Sequence, residues 1–520
     1  YCGLSVESGD INSKNNQLNA NNDQKAIDLY EKAILALNSN KANPKTAFTL
    51  LQESAQLNHQ KAKELVAKSH IFADHLPFNA KKAIKYLQSI PTNESSGAHL
   101  LLGFVYAFGL GVDSDQEKAL LHYTLAANLD NSLAKMAVGF RYLYGIGEEK
   151  NCRKALDLYH SVATNVVDES HTSGGQIIRS HHLWQQKGGL KQSLDTDLID
   201  YYRFLAKKGD ISAAVTLGQL YYFGGFGVER DGWVESLYHI GLMYLNGLGV
   251  ARDYRQAVRF FTFSLQSQHL LAFYNLGQLY AGGHGVPKSC AKAVYYFKSV
   301  AERGVWSQEL TDADNYHKNR NVLQAFLKYT FLSELGYESA QSNSAFILDN
   351  QPIRGHRIND NERPILAFKY WTQSAEQGMS YSRIKVGDCH YYGLGTPVDY
   401  EMAAHYYRKA SEYRYSSQAL FNLGYLHEKG LGVKRDTDMA LIFYEMSAQI
   451  DSDARVAVVL AKQKAKLFRR IEKVFNLFDL RNYFGNKWDL VLISVLVIAL
   501  IFVVYIKMNG NYVFNTFARI

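Results

Sequence analysis

The chain has 520 residues, enough for three or four ordinary domains. It holds 36 Tyr but only 7 Pro, so long stretches are free to be helical, because Pro removes a backbone donor and clashes in a helix interior. Hydrophobic residues at 47% and charged residues at 20% exclude general disorder, and a net charge of +8 is too small for this length to mark a nucleic-acid binder. The four cysteines, Cys2, Cys152, Cys290 and Cys389, exclude a disulfide-dense scaffold and have no C-x-x-C spacing for a zinc ribbon or RING.

In chain order, residues 1–25 come first. They contain SKNNQLNANNDQ and are expected to be a disordered N-terminal segment. The chain starts at Tyr1 without an apolar leader and reads as a mature form or a fragment. Ala26 to Leu37 then reads as an amphipathic helix.

Beyond it a repeat dominates. With Gly103 as zero, a small residue stands five before (Ala98), Tyr106 at plus three, Gly109 and Gly111 at plus six and eight, Ala119 at plus sixteen and Tyr123 at plus twenty. The same register starts at Gly139 (Tyr142, Gly145, Gly147, Ala155, Tyr159) and Gly241 (Tyr244, Gly247, Gly249, Ala257, Phe261). It recurs at Gly277 (Tyr280, Gly283, Gly285, Ala293, Phe297), Gly387 (His390, Gly393, Gly395, Ala403, Tyr407) and Gly424 (His427, Gly430, Gly432, Ala440, Tyr444). Degenerate units follow the same pattern around Ala67, Ala73 and Ala83, and around Ser344.

Each position has a physical reading. Two helices flank a turn whose first Gly can take the left-handed conformation where helices end. Small residues at zero and plus sixteen let the two helices approach, and the aromatics at plus three and plus twenty fill the space around them. Neither helix can bury its apolar face alone, so the units must stack. The fold class expected is all-α: a right-handed α-solenoid of helix-turn-helix repeats, followed by one C-terminal transmembrane helix.

The array divides into an N-terminal block (26–163), a linker (164–197), a central block (198–348), a loop (349–364) and a C-terminal block (365–462). Within the central block, Gly218, Tyr221, Gly224 and Gly227 open a unit whose second helix is missing, because after Asp231 the chain runs straight into Gly232 and the next first helix. Such a deletion predicts a packing defect or a re-paired helix.

The C-terminal segments differ in kind. Residues 466–485 are amphipathic, with Leu467, Phe468, Ile471, Val474, Phe475 and Phe478 on one face, and suit contact with a membrane or a membrane partner equally with ordinary packing. Residues 488–508 hold an uncharged run, Leu490 to Ile506, flanked by Trp488 and Lys507, which reads as a single-pass span; a short tail, 509–520, follows. Arg469, Arg470, Lys473, Arg481 and Lys487 precede this run, and the positive-inside rule taken alone places the repeats in the cytosol.

Chemistry is sparse. The paired glycines recur at every turn and follow no strand, so they are turns and not a dinucleotide fingerprint. His181 and His182 adjoin a loop, His390 and His427 occupy the repeat Tyr position, and packing roles are favoured for them over metal or catalytic ones. Cys152 and Cys290 share one repeat position, thirteen after the Gly, and their solenoid turns are expected to lie far apart; they read as small core residues and not as a redox pair. Asn93 heads the one N-x-S/T sequon and is a candidate N-glycosylation site. No catalytic, cofactor-binding or metal-binding set is visible, and no cofactor is expected.

These repeats resemble the sel-1-like repeat family, a relative of the tetratricopeptide repeat, from about Ala26 to Lys462. Within it, ELGYESAQSNSAFILD (Glu334 to Asp349), HLLAFYNLGQLYAGGHGV (His269 to Val286), SQALFNLGYLHEKGLGV (Ser417 to Val433), DLIDYYRFLAKKGD (Asp197 to Asp210) and the C-terminal span are similar to the sel-1 homologs, lumenal adaptor subunits of the HRD ubiquitin ligase complex. The resemblance implies a type I protein of the endoplasmic reticulum membrane with its repeats in the lumen. It also implies partners: a multi-spanning RING ubiquitin ligase, Derlin-type proteins, a glycan-reading lectin and misfolded glycoproteins. The expected function is that of a non-catalytic, membrane-anchored adaptor in ER-associated degradation. The alternative is a cytosolic-facing, tail-anchored repeat scaffold that regulates a membrane enzyme.

Overall fold

The structure is a computed structural model that describes residues 7–38, 44–91, 95–173, 182–184, 231–265, 268–351, 361–414, 416–478, 493–495 and 497–501. Among these residues every regular element is a helix and no strand occurs. The N-terminal array is α1 (Glu7–Asn38), α2 (Pro44–Gln56), α3 (Gln60–Phe72), α4 (Ala80–Gln88), α5 (Ser96–Phe108), α6 (Gln116–Asn128), α7 (Ser132–Tyr144) and α8 (Cys152–Ser173). The central array is α9 (Asp231–Asn246), α10 (Tyr254–Ser264), α11 (Leu270–Gly282), α12 (Cys290–Ala301), a short 3-10 turn (Val305–Ser307), α13 (Gln308–Lys318), α14 (Val322–Glu334) and α15 (Glu338–Asn350). There follow α16 (Glu362–Glu376), α17 (Ser380–Tyr392), α18 (Tyr400–Arg414), α19 (Ser417–Lys429), α20 (Thr437–Ile450) and α21 (Arg455–Phe478).

The repeat register explains the hairpins atom by atom. In the α5–α6 pair, Gly109 ends the first helix with φ +82 and returns its N–H to the Val105 carbonyl. Gly145, Gly283, Gly393 and Gly430 end their helices the same way, as the αL cap requires. Asp115 then caps the second helix, its carboxylate accepting from the Lys118 N–H, while its own N–H donates to the Tyr106 carbonyl. That backbone bond recurs from Asn151 to Tyr142, Asp253 to Tyr244, Ser289 to Tyr280, Asp399 to His390 and Asp436 to His427. Position plus twelve is therefore a repeated N-cap that ties the turn back onto the first helix.

Core packing follows from the residue at zero. A Cβ on Gly103 would stand 2.6 Å from the Tyr123 ring, and one on Gly277 would stand 2.7 Å from that of Phe297. Gly139, Gly241, Gly387 and Gly424 face Tyr159, Phe261, Tyr407 and Tyr444 in the same way. Ala119, Ala155, Ala257, Ala293, Ala403 and Ala440, at plus sixteen, are fully buried beside them. The aromatics at plus three behave differently from the expectation. They are only half-buried, and each of five stacks on the residue at plus nineteen: Tyr106 on His122, Tyr244 on Phe260, Tyr280 on Tyr296, His390 on Tyr406 and His427 on Phe443.

Several boundaries move. α1 begins at Glu7, so the Asn/Gln-rich stretch expected to be disordered is helical from there on; the turns around Ala26 and Ala33, buried against α2, nucleate a helix whose extension costs little. α8 continues to Ser173, ten residues into the expected linker, because Val166 and Val167 are buried. The three repeat blocks form two compact units, Tyr1–Gln377 and Gly378–Ile520, since the N-terminal and central arrays pack together. The incomplete repeat at Gly218, Tyr221, Gly224 and Gly227, and its junction up to residue 230, lie outside the described residues. Among the described residues no helix is long and apolar enough to cross a membrane. Of the run Leu490 to Ile506, residues 493–495 and 497–501 are described; they are helical, with exposed apolar side chains.

Candidate interaction site at the seam of two helical arrays

The seam inside the first unit is where side chains distant in sequence converge. Phe72 on α3 and Phe104 on α5 stack with centroids 5.9 Å apart, and Phe331 of α14 meets both edge-on at 5.4 and 5.3 Å. Beside them Arg141 of α7 is 1% exposed and donates 2.8 Å to Glu334 at the end of α14. The guanidinium also donates to Gln116 and lies over the Tyr123 ring, so a charge that would be costly alone is paired, hydrogen-bonded and stacked.

A second charged cluster flanks the phenylalanines. Lys68 of α3 and Lys328 of α14 both hold Glu309 of α13, and Lys328 also reaches Asp74. Burial opposes ionisation of Glu309, but the two ammonium groups outweigh it and hold its carboxyl at about 2. For Lys328 burial lowers the pKa, yet Glu309 and Asp74 leave it raised overall. Next to this cluster lies a cavity of about 360 Å³ whose apolar lining includes Leu100, Leu101, Trp306 and Phe331. Such a cavity can accept an apolar side chain of a partner.

The third link is covalent. Cys152 at the start of α8 and Cys290 at the start of α12 form a disulfide, with Cα atoms 6.2 Å apart at a sequence separation of 138. This corrects the reading of the two as separate core residues. Their turns are distant in sequence but adjacent in space, because α8 packs on α12: His160 meets Phe297 edge-on at 4.9 Å, and the Thr164 hydroxyl is 3.1 Å from that of Tyr274. Equivalent positions on two arrays that meet through equivalent helices fall opposite one another. Part of the expected linker docks here too. His182 is buried with Nε2 3.0 Å from Glu338, and the Leu183 N–H donates to Asn343.

This seam was not found from the sequence, although two signals there bear on it. Arg141 stands two after Gly139, where four of the other five units bury Val105, Leu279, Cys389 and Leu426 and only Met243 is exposed, so a cation there called for a buried partner. The shared position of the two cysteines was the second.

The other sequence-derived candidates lie elsewhere. Leu467, Phe468 and Ile471 on α21 are exposed, while Val458 and Ala465, earlier on the same helix, are buried. The helix thus packs one side, with Val458 against Tyr444 of α20, and leaves apolar side chains uncovered along its described length, Val456, Val459 and Leu460 as well as Leu467, Phe468 and Ile471. The side chains of Val474, Phe475 and Phe478, and residue Asn93, lie outside the described residues. Among the described residues no group of three or more His, Cys, Asp or Glu could hold a metal ion.

The family model described as Sel1 repeat matches ten segments: residues 19–36, 40–59, 96–131, 132–165, 211–232, 234–267, 271–305, 361–379, 380–412 and 417–452. The chain belongs to the Sel1 repeat family. Among its relatives, "Protein sel-1 homolog 2" of Rattus norvegicus is 34% identical over 214 residues, 40% of this chain and 31% of the relative. "ERAD-associated E3 ubiquitin-protein ligase component HRD3B" of Arabidopsis thaliana is 32% identical over 329 residues, 53% of this chain and 54% of the relative. The matches thus span only 31% and 54% of the length of these relatives. Among solved structures, c5321 of uropathogenic Escherichia coli, described as displaying an SLR fold, aligns over 89% of this chain and 93% of its own at 21% identity with a TM-score of 0.28. Six of the ten matched segments contain the hairpins built on Gly103, Gly139, Gly241, Gly277, Gly387 and Gly424.

Proposed function

We propose that this Sel1-repeat protein is a non-catalytic adaptor of an endoplasmic reticulum ubiquitin ligase complex. Its repeats face the lumen, and a single C-terminal helix anchors it in the membrane. The observation that carries the reading is the similarity to an ERAD ligase component across half of the chain. Three features support the finer statement. The Cys152–Cys290 disulfide suits an oxidising compartment such as the lumen, where such bonds persist, and weighs against the cytosolic scaffold that the basic residues before the C-terminal run favour. The exposed apolar side chains from Ile493 to Ile501 suit lipid as their cover. Exposed Leu467, Phe468 and Ile471 suit the membrane surface or a membrane-embedded partner beside that anchor.

The mechanism is positioning. A repeat scaffold offers several weak contacts, and the effective concentration of a client near the ligase rises with each one engaged. Misfolded glycoproteins, a glycan-reading lectin, a multi-spanning RING ligase and Derlin-type proteins are the partners this places along the array. Affinity purification from detergent-solubilised membranes tests the reading: a RING ligase and Derlin-type proteins co-purify if it holds, and cytosolic partners alone would overturn it. Topology is tested separately. Endoglycosidase sensitivity at Asn93 supports a lumenal array, whereas protease digestion of the repeats from outside sealed microsomes sinks it.

A further inference from the structure

A second cavity, of about 580 Å³, lies among α2, α3 and α4, away from the seam. Its charged lining is of one sign: Lys63 of α3 with Lys82 and Lys85 of α4, joined by His70 and by the side-chain amides of Gln52 and Gln56 from α2. Among the described residues no carboxylate lines it.

Lys63 is the informative residue. It is 5% exposed, and its ammonium donates to the Asn58 side-chain oxygen and, at 3.5 Å, to the Ser89 carbonyl, both neutral acceptors. Burial lowers its pKa, with no anion to offset the loss of water. The other buried lysines among the described residues are handled differently: Lys298 pairs with Glu302, and Lys328 with Glu309. A buried ammonium without a counter-charge is costly, and an arriving carboxylate relieves that cost. Lys82 and Lys85, three apart on one face of α4, are exposed and form no ion pair among the described residues.

We propose that this cavity binds an acidic peptide segment of a protein partner, with glutamate or aspartate carboxylates on Lys63, Lys82 and Lys85. Two features favour a peptide over a compact phosphate. The cavity has the size of a ligand of several residues, far more than one phosphate fills. Its cations are separated lysine point charges with no arginine fork for bidentate phosphate recognition, and the glutamine amides beside them can pair with peptide backbone. The inference stands on this cavity alone and does not depend on the adaptor role.

Fluorescence anisotropy with the full chain in non-ionic detergent tests it, using labelled hexaglutamate and hexaglutamine peptides. Hexaglutamate binds, more weakly as salt is raised, and hexaglutamine does not. The Lys82→Gln/Lys85→Gln variant loses affinity by on the order of tenfold for each ammonium removed. The Lys61→Gln/Lys81→Gln variant makes the same charge change at exposed positions of α3 and α4, outside the cavity, and binds as the parent does. On the parent protein, carbodiimide coupling of the bound peptide maps to Lys82 or Lys85 by mass spectrometry. Equal loss in both double variants, coupling only at other lysines, or equal binding of the two peptides overturns the proposal. Displacement of hexaglutamate by inorganic phosphate at an equal or lower concentration of oxyanion also overturns it, in favour of a phosphate site.

Discussion

Replacing both Cys152 and Cys290 with Ala removes the covalent clamp between α8 and α12 and leaves their packing in place. For a loop closed across a sequence separation of 138 residues, chain-entropy arguments give about 5 kcal/mol at 25 °C, and native cross-links commonly deliver roughly 2–4 kcal/mol. We expect the variant to lose about 3 kcal/mol from the local opening of this seam. Repeat arrays unfold in parts, so a global melting curve would blur the effect. Hydrogen exchange read by mass spectrometry on peptides of α8 and α12 isolates it. Exchange there accelerates by on the order of a hundredfold, and peptides of α19 and α20, in the other compact unit, are unchanged. Dithiothreitol produces the same acceleration in the parent protein and nothing further in the variant. A non-reducing peptide map in which Cys152 and Cys290 are each alkylated without reductant would refute the reasoning at its base. So would a variant whose α8 and α12 exchange as slowly as the parent's.

Gly277→Ala places a methyl group 2.7 Å from the Phe297 ring, so overpacking costs about 1–3 kcal/mol; urea melting shows the loss, and adding Phe297→Leu recovers part of it. Arg141→Leu leaves the buried carboxylate of Glu334 with only Lys369, 3.9 Å away, and costs about 3 kcal/mol, whereas Arg141→Leu/Glu334→Leu costs less than the Arg141→Leu change alone, as a double-mutant cycle on melting midpoints will read. Glu309 is held at about 2 in the folded chain against an ordinary value near 4.5, so its contribution is fully present above about pH 4.5 and is lost as pH falls towards 2. Glu309→Gln therefore flattens the acid limb of the stability–pH profile in that window, and an unchanged acid limb would count against the cluster.

The repeat was legible because every feature of it is local. A turn glycine must adopt positive φ, a helix start needs a side-chain acceptor, and a glycine at zero must admit a ring twenty residues on; all fall within one unit of 36 or 37 residues. Periodic Gly, Ala and Tyr therefore gave the hairpins, their order and the family. The half-buried stacking of the plus-three aromatics was less legible, since only the packed hairpin shows that plus three and plus nineteen meet.

The seam is of another kind. Its contacts join residues far apart in the chain, Lys68 to Glu309, Arg141 to Glu334 and Cys152 to Cys290, and no period relates the partners. Arg141 in an apolar slot could announce a buried partner but could not name Glu334. Two cysteines at one repeat position could not reveal that α8 lies on α12. The amino-acid sequence by itself determined the unit, because nearest-neighbour packing repeats with the chain. Only the tertiary structure decided how one array closes on another, because that depends on the sum of small rotations between units and on which faces are left to meet.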